Sequence, residues 1–186
     1  ALILRAMDVL FAFPMALLSI LVTSSLGPGM TNLLLSLVYA QYTFSLPLQM
    51  EAIFADRGAQ FYGVIMTINA VTVVLFTAPV VGATRRFRPV TNVALAALLM
   101  AMGFGTLGLW RQFPIIAVIT LVWTAGEILS ATNVDVYIAN HTPANHRGRM
   151  NALSPIIRGA GFALGPLLGG AFVDRWGVDR IWPVAA

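Results

Sequence analysis

The chain has 186 residues, of which 59% are hydrophobic and only 10% are charged. Soluble domains carry about 25% charged residues, so this composition excludes an ordinary soluble domain and predicts a membrane protein. All eleven basic residues are arginines scattered through short segments, so the net charge of +4 does not indicate nucleic-acid binding. The absence of cysteine excludes disulfides, thiolate catalysis and cysteine metal sites.

Hydropathy divides the chain into about six apolar segments, each near the roughly 20 residues that cross a hydrocarbon core of about 30 Å. These continuous stretches predict helices, because lipid satisfies no backbone group and the alternation of a barrel strand is missing. We therefore expect an all-α, polytopic transmembrane bundle of five to six helices. The predicted spans are Val9–Leu26, Asn32–Met50, Phe61–Thr84, Val90–Trp110, Pro114–Ile138 and Met150–Val173.

The first apolar segment, within residues 1–30, leaves several arrangements open. It contains Pro14 and ends in the run Ser-Ser-Leu-Gly-Pro-Gly, with almost no loop before the second segment. It spans the membrane, lies in the interface, or continues an upstream helix. Arg5 and Asp8 make a poor signal-peptide start. Because the chain begins without Met and a further apolar segment starts near Ile181, we expect a piece of a longer protein.

Loop charges predict the orientation of the bundle. The loops after the third and fifth spans carry arginine without any acid, whereas the opposite loops mix arginine with acidic residues. By the positive-inside rule, the purely basic loops are cytoplasmic. Their arginines are Arg85, Arg86, Arg88, Arg147 and Arg149. Tryptophans near the predicted outer ends are expected in an interfacial belt. They are Trp110, Trp176 and Trp182.

Two charges lie deep in neighbouring predicted spans. Glu127 lies roughly 16 Å from the cytoplasmic end of the fifth span, and Arg158 roughly 12 Å into the sixth, at about 1.5 Å per residue. Charges in a bilayer cost several kcal/mol or more and persist where they face a protein interior or a water-filled path. We hypothesise a transport or proton-relay site, in which the two residues form a buried pair or take separate proton and substrate roles. The structural alternative is a static ion pair that fixes helix register.

Asp135 follows Glu127 by about two helical turns, near the same helix face but closer to the cytoplasmic end. It is a second candidate for proton coupling, or a boundary charge satisfied by Arg149 or Asn151.

Polar and aromatic side chains interrupt the second span. Such a mixture suits a cavity for amphipathic organic molecules, although the tyrosines also serve plain helix packing. The cavity candidates are Tyr39, Gln41, Tyr42 and Gln49.

Several motifs resemble the major facilitator superfamily of transporters, especially its drug/proton antiporters. The glycine–proline helix of that superfamily is similar to Gly161-x-x-x-Gly165-Pro166-x-x-Gly169-Gly170. Glycines four apart allow close helix approach, and the proline adds a local bend. The resemblance implies helix-packing and gating roles for these residues. Pro143–Arg149 resembles the superfamily's cytoplasmic Pro-x-x-x-Arg-Gly-Arg connection, and Trp123–Ile128 resembles the Gly-Glu helix of its multidrug-resistance type.

Two further stretches indicate which half of the superfamily's fold the chain resembles. Pro79–Pro89 resembles a degenerate form of the superfamily's cytoplasmic loop, which lacks the usual acid. Leu37–Gln41 resembles the start of the carboxy-terminal half. Residues 31–186 are thus similar to that half, truncated before its last helix, and the amino-terminal half is the alternative because the halves repeat each other.

The resemblance implies a secondary active transporter of the bacterial inner membrane that exports small organic, drug-like compounds in exchange for protons. Its partners would be the lipid bilayer, the substrate, protons and the other half of the transporter. We expect no cofactor, no metal and no enzymatic activity, because hydrolase and phosphate-binding motifs are missing from the sequence. The alternatives are a sugar or organic-anion transporter with Arg158 as carboxylate clamp, and a non-transporting scaffold or decayed fragment.

Overall fold

The computed structural model describes the backbone of residues 28–185 and the side chains of residues 33–150 and 152–185. This part of the chain is helical and contains no strand, which confirms the predicted all-α bundle. The first predicted segment lies outside the described residues. The side chain of Asn151, a predicted partner of Asp135, also lies outside them. The helices are α1 (Pro28–Phe54), α2 (Gly58–Thr84), α3 (Pro89–Leu107), α4 (Phe113–His141), α5 (Arg147–Trp176) and the short α6 (Ile181–Ala185).

Stretches that are long and apolar enough to cross a membrane account for most of the described chain. They are Leu33–Thr84, Pro89–Leu107, Phe113–His141 and Ala152–Trp176. The first stretch has 52 residues, far more than the roughly 20 of one crossing. It divides at a 3₁₀ turn, Ala55–Arg57, so we count α1 and α2 as separate crossings.

The turn between α1 and α2 depends on a glycine. Ala55 adopts a φ of 49°, in the left-handed region, and so breaks the helical path. Beyond it, a Cβ on Gly58 would lie 2.5 Å from the Cα atom of Glu51. No side chain fits at that distance, so a glycine lets α2 begin directly against the end of α1.

Prolines stand at the start of some of the described helices and lie inside others without ending them. Pro89 and Pro114 stand in the first turns of α3 and α4, where the missing N–H costs no helical bond. Interior prolines are tolerated in membrane helices because neighbouring groups satisfy the freed carbonyls. They are Pro47, Pro79, Pro155 and Pro166.

Helix α5 presents a row of glycines to α1. A Cβ on Gly161 would lie 2.5 Å from the Ser36 Cβ, and one on Gly165 would lie 2.4 Å from the Ala40 Cβ. Real Cβ atoms essentially never come within 3.0 Å of another heavy atom. The two helices can approach this closely only because α5 carries hydrogen atoms where other residues carry a Cβ.

Helices α3 and α4 pack around buried aromatic rings. A Cβ on Gly103 would lie 2.5 Å from the Trp123 Cβ, so glycine makes room for this tryptophan. The Trp123 ring stacks on Phe104 with centroids 5.3 Å apart, and Phe104 stacks on Trp182 at 6.0 Å. Trp182 is 0% exposed, so its predicted place in an interfacial belt is wrong. The short α6 carries it back against α3.

We expect Gly165→Ala to destabilise the protein by about 1–3 kcal/mol, because the added methyl overlaps Ala40 and forces α1 and α5 apart. Gly159→Ala on the same helix is the matched control, since a Cβ at Gly159 meets nothing within 4 Å. Thermal unfolding of the purified protein in detergent measures both variants.

The loss should be recovered in part by combining Gly165→Ala with Ala40→Gly, which removes the atom that the new methyl meets. Equal unfolding temperatures for Gly165→Ala and Gly159→Ala would contradict the packing described above.

Candidate functional site

Glu127 stands at the midpoint of α4, and its two carboxylate oxygens accept hydrogen bonds from two other helices. The Tyr39 hydroxyl of α1 donates to Oε1. The Asn69 amide nitrogen of α2 donates to Oε2 over 2.7 Å. Both donors also lie near the middle of their helices. The carboxylate therefore joins three helices at a depth where lipid offers no hydrogen-bond partner.

A second set of hydrogen bonds orients Asn69. Its amide nitrogen also donates to the Thr124 hydroxyl oxygen over 3.0 Å. That hydroxyl is fully buried and donates to the Thr120 carbonyl oxygen over 2.6 Å. Thr124 and Glu127 lie three residues apart on α4, so both face the same side of that helix. Both can therefore accept a hydrogen bond from the Asn69 amide nitrogen.

Aromatic rings surround the tyrosine that binds Glu127. The Tyr39 ring lies 4.6 Å from Tyr42 and 6.0 Å from Phe162, both in edge-to-face geometry. Tyr42 in turn lies 5.6 Å from the buried ring of Trp123. These contacts limit the positions of Tyr39 and hold its hydroxyl toward α4.

A cavity of about 270 Å³ opens beside Glu127, between α1, α3, α4 and α5. Its wall combines charged, hydroxyl, aromatic and aliphatic side chains. The volume is slightly below the roughly 300–1,000 Å³ of ordinary ligand pockets, so it suits a small molecule or several waters. The lining residues are Leu35, Ser36, Tyr39, Met100, Glu127, Ser130, Ala131, Val134, Asp135, Arg158 and Phe162.

Arg158 contacts Asp135 and not Glu127, so the pair hypothesised from the sequence is not the one that forms. The Arg158 Nη2 lies 3.1 Å from the Asp135 Oδ1, and the two side chains are 47% and 72% exposed. The described residues contain one further ion pair, Arg111 with Asp179. Glu127 therefore has no charged partner within this part of the chain.

The direction in which helical side chains lean explains why Arg158 pairs with Asp135 and not with Glu127. Side chains tilt toward the N-terminus of their own helix. In α5 that tilt carries Arg158 toward the end of the bundle where α4 finishes, which is where Asp135 lies. In α4 the same tilt carries Glu127 the opposite way. Similar depth therefore did not bring Glu127 and Arg158 together. The expected partner of Asp135, Arg149, is replaced by Arg158.

Two of the predicted cavity residues, Gln41 and Gln49, make hydrogen bonds between helices and do not line the cavity at Glu127. Gln41 is buried, donates to the Gly165 carbonyl oxygen over 3.0 Å and accepts from the Ser45 hydroxyl over 2.7 Å. It borders a separate cavity of about 210 Å³ between α1, α5 and α6. Gln49 is fully buried and donates to the Leu107 carbonyl oxygen over 2.8 Å.

Of the four predicted cavity residues, only Tyr39 lines the cavity at Glu127. Tyr42 lies behind it, between Tyr39 and Trp123. The remaining glycines of the predicted motif stand at the same α1–α5 contact, with Gly169 against Gln41 and Gly170 against Phe44.

The sequence did not single out Asn69, Ser130 or Phe162, although all three belong to the site. Asn69 is one of several polar residues in an apolar span, and nothing in its spacing marks it. Phe162 directly follows a motif glycine, which is its only local signal.

The predicted cytoplasmic arginines are exposed: Arg85, Arg86 and Arg88 lie in the loop after α2, and Arg147 and Arg149 lie in the first turn of α5. The Arg86 guanidinium lies 5.7 Å from the Phe87 ring centroid, and Arg147 Nε donates to the Thr142 carbonyl oxygen over 3.4 Å. Asn92 of α3 donates to the Thr84 carbonyl oxygen at the end of α2 and to the Asn133 side-chain oxygen of α4, so it joins these three helices.

Comparison with known proteins relates the chain to a family of transporters. The profile of the Major Facilitator Superfamily matches residues 13–186. The chain is 26% identical over 143 residues to the uncharacterized MFS-type transporter YqjV of Bacillus subtilis (strain 168). The match covers 76% of this chain and 35% of that relative, so the chain spans well under two thirds of its length. No solved structure matches the chain.

We expect Gln41→Leu to lower the free energy of unfolding by about 1–3 kcal/mol, because it leaves the buried Gly165 carbonyl and Ser45 hydroxyl without their amide partner. Thr43→Val is the control, since Thr43 is exposed on the same helix. Thermal unfolding in detergent measures both. If Gln41→Leu were as stable as Thr43→Val, the amide would not hold α1 to α5.

Proposed function

The chain belongs to the Major Facilitator Superfamily, and from this premise we propose that it forms part of a secondary active transporter in which Glu127 carries the coupled proton. Membership in a family of transporters confirms the expectation that the chain is not an enzyme. The observation that carries the proposal is the carboxylate at the midpoint of α4, which faces a cavity and has no cationic partner among the described residues.

Among the residues whose side chains are described, no cation forms an ion pair with Glu127, and this matters for proton coupling. A guanidinium within about 4–6 Å would favour the ionised carboxylate and oppose proton uptake. Glu127 instead accepts two hydrogen bonds from neutral donors. Protonation therefore removes a net charge from the membrane interior, and the protonated site can change its surroundings without carrying an ion through lipid.

In the proposed cycle, Glu127 accepts a proton through the water-filled cavity on one side of the membrane. Once neutral, it permits the two halves of the transporter to rock and to open the site to the other side, as in alternating access. Release of the proton there restores the charge. Substrate bound in the cavity moves in the opposite direction, which gives proton-coupled efflux.

The cavity wall supports small organic, drug-like compounds as the substrate class. Tyr39 and Phe162 present aromatic faces, and Met100 presents a flexible thioether that adapts to different shapes. A few polar groups, among them Ser36 and Ser130, can orient a ligand.

Asp135 and Arg158 have a different proposed role at the cytoplasmic side of the cavity. Their exposed pair can open and close as the cavity changes, because surface ion pairs contribute only about 0–1 kcal/mol. An organic-anion transporter would require Arg158 to leave Asp135 and bind the substrate carboxylate. The existing pair favours the first candidate.

The proposed setting is a bacterial inner membrane, with a second six-helix unit completing the cavity. The long apolar helices and the transporter of Bacillus subtilis support this setting. The relative is much longer than the matched region, and its remaining length leaves room for such a unit.

We expect Glu127→Gln to abolish proton-coupled efflux while membrane insertion stays intact, because the amide keeps the size and polarity of the side chain but cannot exchange the proton. The measurement is ethidium-dependent proton flux, followed with a pH-sensitive dye, in liposomes that contain the intact protein. Glu51→Gln is the matched control, since Glu51 is exposed at the end of α1.

Glu51→Gln should retain the flux of the unmodified protein. An undiminished ethidium-dependent proton flux in Glu127→Gln would remove the proposed role of Glu127. Flux carried by benzoate in place of ethidium, and lost in Arg158→Gln, would favour the organic-anion candidate.

A further inference from the structure

The two hydrogen bonds to Glu127 differ in what each donor can do when a proton arrives. An amide N–H donates and cannot accept, whereas a phenolic hydroxyl can do either. Oε2 faces the Asn69 amide nitrogen, and Oε1 faces the Tyr39 hydroxyl. The two oxygens of the carboxylate are therefore not equivalent as proton acceptors.

We propose that Asn69 is a positioning residue that confines the proton of Glu127 to Oε1, and that Tyr39 reverses its hydrogen bond when this proton is bound. The inference rests on the proposed function of Glu127 and names the groups that control its proton. It concerns the geometry of proton binding, which can be measured without any transported substrate.

The orientation of the Asn69 amide follows from its second partner. The Thr124 hydroxyl gives its hydrogen to the Thr120 carbonyl oxygen, so its own oxygen is left as an acceptor for Asn69. A flipped amide would place its carbonyl oxygen against that oxygen, with no hydrogen between them. The amide therefore directs N–H groups toward both Thr124 and Glu127. A proton on Oε2 would face an N–H and break this bond.

A proton on Oε1 keeps all the helices joined. The new Oε1–H group donates to the Tyr39 oxygen, and the Tyr39 O–H bond itself stays intact. The proton is delivered from a hydronium ion of the aqueous phase, which leaves neutral water, and only the direction of one hydrogen bond changes. The Asn69 bond to Oε2 is unaffected, so α1, α2 and α4 remain connected in both states.

The reversal turns the hydroxyl hydrogen of Tyr39 away from Glu127. Tyr39 lines the cavity, and its ring lies 4.6 Å from that of Tyr42, so the released hydrogen turns toward the cavity or toward the Tyr42 hydroxyl. The other titratable or charged groups near this point are Tyr42 on α1, Tyr62 on α2, and the Asp135–Arg158 pair. That pair is internally neutral and balances its own charge, and Asn69 keeps its bond to Oε2, so Tyr39 is the residue whose hydrogen bond changes with the Glu127 proton.

Infrared difference spectra of the intact protein in liposomes, recorded across a pH series, test this arrangement. The protonated carboxyl gives a C=O band, which is assigned to Glu127 by its loss in Glu127→Gln. We expect a tyrosine C–O band to shift in the same pH step, because this band differs between donor and acceptor hydroxyls. The shift should be absent in Tyr39→Phe and retained in Tyr62→Phe, the matched control.

Asn69→Leu tests the positioning role. Without the N–H donor, the C=O band should move to higher frequency, and its pH midpoint should rise by about one unit, since a hydrogen bond to a charged group contributes about 1.5 kcal/mol or more. If Asn69→Leu does not insert, Thr124→Val gives the same test with a smaller shift, because it removes only the group that orients the amide.

The outcomes separate this inference from the proposed function. A Glu127 band whose frequency and midpoint are unchanged in Asn69→Leu and Thr124→Val, or that titrates with no tyrosine shift, overturns the inference and leaves Glu127 as a proton carrier. A band that behaves as described, in a protein whose ethidium-dependent proton flux survives in Glu127→Gln, supports the inference and removes the proposed function. The absence of any Glu127 band overturns both.

Discussion

Lipid tails offer neither donors nor acceptors, so each polar side chain that enters the membrane must find its partner inside the protein. This requirement determines how the helices are joined. The Glu127 carboxylate links α4 to α1 and α2 through Tyr39 and Asn69. Away from this centre, Gln49 and Asn92 make further contacts between helices. Apolar side chains alone do not determine how each helix is rotated about its own axis in lipid. These hydrogen bonds favour one rotation of each helix against its neighbours.

Close packing of α1 against α5 positions the residues of α1 that form the site. The glycine face of α5 takes up Ser36 and Ala40, which holds the two backbones close together. Tyr39 lies between these positions in sequence, and its hydroxyl reaches Glu127 on α4. Phe162, next to the first glycine of α5, then lies beside the Tyr39 ring. A change at the glycine face would therefore move the ring that donates to the carboxylate, even though no glycine touches Glu127.

Sequence alone could predict depth and spacing but not the rotation of one helix against another. Helix existence and the positions of Glu127 and Arg158 along their helices followed from apolar runs and the rise per residue, and the structure agrees on both. Their partners did not follow, because a partner depends on which way each side chain leans and on the register between α4 and α5. For the same reason Gln41 looked like a cavity residue in the sequence, although its amide is used at the α1–α5 contact. Asn69 gave no signal, since its role depends on Thr124 and Glu127 in a helix distant along the chain.

The charges around the cavity determine how the binding of one proton changes the net charge of the cavity wall. Asp135 and Arg158 balance each other, and together with Glu127 they leave one negative charge on the cavity wall. Had Arg158 paired with Glu127, the uncompensated charge would be Asp135, which lies eight residues nearer the carboxy-terminal end of α4. A proton there would alter less, because a charge near the end of a membrane helix costs less than one at its midpoint. At Glu127 the same proton removes the charge at the midpoint of a membrane helix, where lipid and packed side chains screen it least. Because Arg158 pairs with Asp135, the uncompensated charge is the one at Glu127. At that depth, neutralising the charge has the largest effect on the energy of rearranging the helices.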